Sequence, residues 1–178
     1  MKIESTDMNL RITADTSSVF DHQCTEVAVI AAPRAAVYQA LFDVWDWPKR
    51  LPHVAQIDLQ YNDGQYQEFM MTVESDAGHA PLCVRSIRNC RPDIIEFFQP
   101  QPPAFLAHHA GVWRLSDGDS DGTRVEVTHV WNLAPEVAAE IYPPGAAGST
   151  EDQVTAVLAG HSRVALQGWQ RVFAEQGR

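Results

Sequence analysis

Residues 149–175, STEDQVTAVLAGHSRVALQGWQRVFAE, decide the fold. Val154, Leu158, His161, Ala165, Trp169 and Val172 recur at intervals of three and four residues, which lays them in one stripe along a helix. Thr150 with Gln153 reads as a capping box at its start, with Ser149 as the alternative cap. A helix from 151 to about 175 would be ~37 Å long at the standard rise. Gly160 and Gly168 weaken it locally, so it needs a surface to hold it.

That surface is read from the chain upstream. Residues 24–31, CTEVAVIA, form a β-branched, apolar strand. Ala32-Pro33 then opens a helix, with Pro33 expected at the first helical position, and Val37, Tyr38, Leu41 and Phe42 follow at helical spacing. Asp46-Trp47-Pro48 breaks it, and a short helical turn is expected near Lys49–Leu51. Residues 54–61 and 65–74 flank Asn62-Asp63-Gly64, a hairpin signal. Residues 81–89 and 93–99 flank Arg91-Pro92, and residues 105–115 and 123–133 flank the turn SDGDSDG. Tyr142-Pro143-Pro144-Gly145 is a loop before the final helix.

The order is therefore strand, two helices, about six strands, long helix. It implies an α+β helix-grip architecture: a curved antiparallel sheet of about 6–7 strands wrapped around one C-terminal helix. One helix cannot fill the concave side of such a sheet, so an internal cavity is expected. Residues 1–20 are polar and weakly patterned and are read as an N-terminal arm, with a single domain over 21–178.

Composition narrows the function. The 178 residues are 45% apolar and 20% charged, the balance of a globular domain. A net charge of −10 argues against nucleic acid and against an anionic membrane as partner, because both select a basic face. Cys24, Cys83 and Cys90 are odd in number and lack CxxC spacing, so they read as buried thiols in a reducing compartment. The N-terminus has no apolar core of a signal peptide, and a cytoplasmic location is the expectation. No nucleotide-binding or metal-ligand motif is visible, so no cofactor and no metal are expected.

Several short motifs stand in a fixed order: Ala32-Pro33 after the first strand, Trp47-Pro48 before the second, Arg88 and Trp113 on middle strands, Gly122-Thr123 before the last strand, and the final helix. In this order, over roughly residues 24–175, the chain resembles the START-like (Bet v 1-like) superfamily. Within it, the chain is most similar to the polyketide cyclase/dehydratase group, such as the tetracenomycin-type aromatase/cyclases. The resemblance implies an arginine that projects into the cavity and holds substrate oxygens, at Arg88. It also implies that Leu51, Trp113, Val127 and His129 line that cavity. The family's cavity tyrosine aligns with Val54, next to His53, and several of its lumen tryptophans become Leu82, Val84 and Val127. Histidines take their place here.

Strand alternation puts Leu82, Val84, Ser86 and Arg88 on one face and Cys83, Arg85 and Ile87 on the other. Arg88 either polarises a substrate carbonyl or pairs with an acid at the rim, and Arg85 replaces it if the register slips by one. Only one of His108 and His109 can face inward, and His109 shares parity with Gly111 and Trp113. His129 shares parity with Val125, Val127 and Trp131. Either histidine could move protons near neutral pH, and either could be a hydrogen-bonded sheet histidine. His161 and Leu158 lie on the inward stripe of the last helix, and Phe105 follows the Pro-rich rim QPQPPAFL (99–106).

The catalytic candidates are thus Arg88, His109 and His129. The substrate-binding candidates are Leu51, Val54, Leu82, Val84, Ser86 and Phe105, with Trp113, Val127, Trp131, Leu158 and His161. The leading expectation is an enzyme that cyclises and aromatises a poly-β-ketone. The alternatives are a carrier for a quinone, lipid or polyketide, and a ligand sensor. An acyl carrier protein as partner would need a basic patch, for which Arg34, Lys49, Arg50, Arg163 and Arg171 are the sources.

Overall fold

A computed structural model describes residues 19–74, 81–119 and 121–176. The N-terminal arm expected over 1–20 therefore lies outside the described residues except for Val19 and Phe20. The elements are β1 (His22–Ile30), α1 (Arg34–Phe42), a 3₁₀ turn (Val44–Asp46), α2 (Trp47–Arg50), β2 (Val54–Asn62), β3 (Tyr66–Val73), β4 (Leu82–Arg91), β5 (Ile94–Gln101), β6 (Leu106–Asp117), β7 (Thr123–Leu133), α3 (Pro135–Ile141) and α4 (Thr150–Gln176). The strands form one seven-stranded antiparallel sheet in the order β1-β7-β6-β5-β4-β3-β2. The first strand closes onto the last, and the intervening strands meander. α4 packs chiefly on β1 and also touches β7, α2 and α3. This is the curved sheet and long helix expected from the sequence pattern.

Turn chemistry sets the register. At the β2–β3 hairpin the Asp63 carboxylate accepts the backbone N–H groups of Gln65 (2.9 Å) and Tyr66 (2.7 Å), while Gly64 takes a left-handed φ of 94°. Among the described residues β2 is an edge of the sheet, and its pairing with β3 shifts between Val54 and Gln56 and again between Leu59 and Tyr61. Two of the sequence motifs turn out to touch: the Thr123 hydroxyl donates to the Ala32 carbonyl (2.7 Å), tying the start of β7 to the entry of α1.

Three local expectations are corrected. Pro33 is the N-cap of α1 with extended ψ (142°), and the helix begins at Arg34. The cap of α4 is Ser149, not Thr150. The Ser149 hydroxyl donates to Asp152 (2.8 Å) and accepts the Asp152 N–H (3.1 Å), while the Thr150 hydroxyl turns back to the Tyr142 carbonyl (2.9 Å). Helix α3 was not expected at all; Pro135 at its first turn and buried Ala138 place it over the second core cluster. The cysteines also differ from expectation, since Cys83 is exposed on the outer face of β4 and only Cys90 is fully buried.

The core has two parts. The larger joins α1, α2 and α4 to the sheet through Leu41, Trp47, Leu51, Val127, Leu166 and Trp169. The smaller gathers Phe105, Leu106, Trp131, Ala138, Val154 and Leu158 under α3 and the start of α4.

Gly111 of β6 has a particular task. It faces Phe97 on β5 and His129 on β7. With no side chain between them, the Phe97 ring reaches across β6 to the His129 ring (centroids 5.4 Å). A Cβ at Gly111 would lie 2.3 Å from the Thr128 carbonyl oxygen and 2.4 Å from the Phe97 ring. Gly111→Ala is therefore expected to destabilise the fold by about 1–3 kcal/mol. Denaturant unfolding checks this, and an unchanged midpoint would mean that Phe97 is not seated there.

Candidate functional site

Helix α1 ends inside the protein, where its last carbonyls need donors. Three buried or half-buried side chains supply them. Trp47 Nε1 donates to the Ala40 carbonyl (3.0 Å), Arg88 Nη2 to Leu41 (2.8 Å) and Gln67 Nε2 to Phe42 (3.1 Å). Arg88 is only 4% exposed, and its guanidinium carbon lies 5.5 Å from the Trp47 ring centroid and 5.9 Å from that of Phe69. The helix C-terminus and the two aromatic faces thus stabilise a buried cation in place of a carboxylate. Burial lowers the Arg88 pKa, but a guanidinium stays charged. Its Nη1 is buried without a protein partner. Arg85, the alternative, lies on the outer face and pairs with Glu68.

The concave side of the sheet encloses a cavity in two chambers. The outer one, about 120 Å³, is walled by apolar side chains that include Val54, Met71, Leu82, Val84 and Leu158, with His53, His109, His129 and His161 among them. The inner one, about 100 Å³, is bounded by Phe69, Ser86, Arg88 and Phe97. Trp47, Met71, Gln99, Trp113 and His129 belong to both walls, so the chambers are neighbours.

A chain of polar groups runs along the wall. Gln99 Nε2 donates to Ser86 Oγ (3.4 Å), and Gln99 Oε1 sits 2.6 Å from His109 Nδ1. His109 Nε2 lies 2.8 Å from His129 Nδ1. Strand register explains the last contact. His109 is paired with Trp131, so His129 is its diagonal neighbour on the same face, opposite Gly111. Phe97 packs edge-on against both rings (5.7 and 5.4 Å).

These histidines are held neutral. Burial, then the neighbouring His129 and His161, lowers the His109 pKa well below its usual value. Burial and then His161 lower His129 to about 4. His53 is lowered by burial first and by His161 and Arg171 next. Near neutral pH the cavity therefore presents imidazole lone pairs and one fixed cation.

The candidate residues divide by position. Arg88, Ser86, Trp113 and His129 meet at the inner chamber, and Val54, Leu82, Val84, His109, Leu158 and His161 line the outer one. Leu51, Phe105, Val127 and Trp131 line neither of these two chambers. Leu51 and Val127 lie in the main core, with Leu51 against Gly168 of α4, while Phe105 and Trp131 fill the smaller cluster. α4 lies directly on β1 and also contacts β7, the strand on which Val127 and Trp131 are buried. Gln99 ends the strand expected over 93–99 and opens the Pro-rich rim, and it is not among the candidates drawn from the sequence. β5 in fact runs to Gln101, and Gln99 shares the inward parity of Ile95 and Phe97. That alternation could have found it.

Neither a family model nor a curated protein sequence matches this chain. Solved structures do. The di-domain ARO/CYC BexL from the BE-7585A biosynthetic pathway is 27% identical with a TM-score of 0.74, covering 85% of this chain and 50% of its own. The chain thus spans about half the length of that relative. The ZhuI aromatase/cyclase from Streptomyces sp. R1128 is 21% identical with a TM-score of 0.72, covering 88% of this chain and 96% of its own. A START superfamily protein from Mycobacterium smegmatis is 13% identical with a TM-score of 0.65, over 87% of this chain and 99% of its own. The chain therefore has the START-like helix-grip fold, in the form that polyketide aromatase/cyclases share with START proteins.

Proposed function

We propose that this domain is an aromatase/cyclase that closes and aromatises a ring in a poly-β-ketone, using only its own side chains. The observation that carries this reading is the convergence of a buried cation and a neutral base on one chamber. Arg88, with Nη1 unpartnered, and His129 both line the inner space. The structural likeness to BexL and ZhuI supports the same reading.

The chemistry follows from these groups. The walls admit few conformers of a flexible chain, which lowers the entropic cost of bringing two of its carbons together. Arg88 polarises the carbonyl to be attacked. His129 removes a proton from a carbon between two carbonyls, and the resulting carbanion forms the new C–C bond. The alkoxide left on the attacked carbon is held by Arg88 and takes the proton back from the imidazolium. A second α-proton then leaves to His129, and the hydroxyl departs as water with that proton. Enolisation completes the aromatic ring. A weakly basic imidazole in the dry cavity is a correspondingly strong acid once protonated, which suits the dehydration step.

The mostly apolar outer chamber and the START relative favour a second reading, a carrier of a hydrophobic small molecule. A ligand sensor would use the same cavity. Delivery by an acidic acyl carrier protein has little support on the surface. Arg34 pairs with Asp93 (3.2 Å) and Asp117 (3.0 Å), Lys49 and Arg50 pair with Asp46 (3.0 and 3.7 Å), and Arg163 pairs with Glu26 (2.6 Å). These carboxylates pair four of the five expected docking bases, Arg171 not among them, which favours a free or differently tethered substrate.

Arg88→Ala, co-expressed with a minimal polyketide synthase, should lower formation of the aromatic product about 100- to 1000-fold. Circular dichroism establishes that the variant is folded, and a product spectrum equal to wild type would favour the carrier. The pH profile of kcat/KM gives an independent check. His129 accepts a proton only when neutral, so activity should hold from neutral pH downward and fall as pH drops through about 4. An acid limb centred near the ordinary histidine value, about 6.5, would remove the buried pair from the reaction.

A further inference from the structure

We propose that Gln99 is a positioning residue that dictates which nitrogen of His129 carries the lone pair. The inference rests on the reading of His129 as the base. Gln99 is 7% exposed on β5, between Ser86 (3% exposed) and His109 (4% exposed). A carboxylate in this place could gain or lose a proton; an amide cannot, so its two ends have fixed and opposite characters. Its Nε2 is spent on the Ser86 hydroxyl and its Oε1 faces His109 Nδ1.

The consequence propagates by simple valence. An acceptor at 2.6 Å requires that His109 Nδ1 carry the hydrogen. A neutral imidazole has one N–H, so His109 Nε2 is a lone pair and an acceptor. The nitrogen 2.8 Å away, His129 Nδ1, must then be the donor. That leaves His129 Nε2 as the lone pair, on a ring that lines both chambers. Had the order been reversed, His129 would present an N–H to the substrate and could not accept the first proton. Gln99 touches neither reacting atom; it acts through two rings. Phe97, packed edge-on against both, resists the ring rotations that would break the chain. The charged and titratable groups around the pair are Arg88 on β4, Cys24 opposite His129 on β1, His161 on α4 and His53 before β2.

Nitrogen-15 NMR of protein labelled in its histidine rings reads the tautomers directly, with no need for substrate. The wild-type spectrum at pH 7 should show both His109 and His129 protonated at Nδ1. Gln99→Leu removes the fixed acceptor. It should give mixed tautomers and lower kcat at least about tenfold with KM nearly unchanged. Gln99→Glu restores an acceptor, so it should restore the Nδ1–H tautomer. Its charge should also favour the imidazolium and move the acid limb of kcat to higher pH. A wild-type spectrum with the proton on His129 Nε2 would overturn the proposal, as would Gln99→Leu with unchanged tautomers and kcat. If the wild-type protein forms no cyclised product yet shows the Nδ1–H pair, the cyclase reading fails and the tautomer assignment stands.

Discussion

The end of helix α1 is the constraint from which the site follows. A helix that stops in the interior exposes carbonyls with no intrahelical partner, and a guanidinium without a carboxylate is costly to bury. Here each solves the other's problem. The Leu41 carbonyl takes Nη2 of Arg88, and the Trp47 and Phe69 rings flank the cation. Trp47 is itself fixed by the Ala40 carbonyl and packs edge-on against Trp169 of α4 (6.1 Å). The interaction therefore links the first helix, the middle of the sheet and the last helix. It leaves Arg88 rigid in the chamber wall, with Nη1 buried and without a protein hydrogen-bond partner, an arrangement in which an electrostatic contribution needs no reorganisation.

The rest of the cavity follows from what is placed opposite that cation. No described carboxylate pairs with Arg88; the titratable groups that bear on it are Cys90 and Tyr38, while the imidazoles on the cavity wall are made neutral by burial. The surface carries many acids, while the cavity wall carries the Arg88 cation and neutral imidazoles. The acids occupy the outer rim, where they bind Arg34, Lys49, Arg50 and Arg163.

Much of this was legible in the sequence because two simple periods govern it. Alternation along the strands separated Arg88 from Arg85 and His109 from His108, and the three-and-four spacing of 149–175 defined the long helix. What alternation cannot show is depth along a strand. Val127 and Trp131 have the same parity as His129, yet they are buried in the two core clusters. Only the path of α4 over β1 decides that, and it is a tertiary fact. Leu51 and Phe105 precede β2 and β6 and so stand outside the alternation altogether. Gln99 is different: its parity is readable in the expected strand 93–99, but the Pro-rich stretch that starts at the same residue draws the reading toward a rim. The cap of α4 went to Ser149 because Thr150 found a nearer acceptor in Tyr142, a contact invisible before the loop is folded.

The double register shift on β2 has a consequence for the protein among its copies. An open sheet edge is a template on which another chain can zip, backbone to backbone. β2 carries exposed Leu59 and Tyr61, which would favour such growth. Its two irregularities in nine residues interrupt the ladder and break the even row of donors and acceptors that a new strand would need. The hollow fold thus keeps one flank unfinished without offering it as a seed for fibrils.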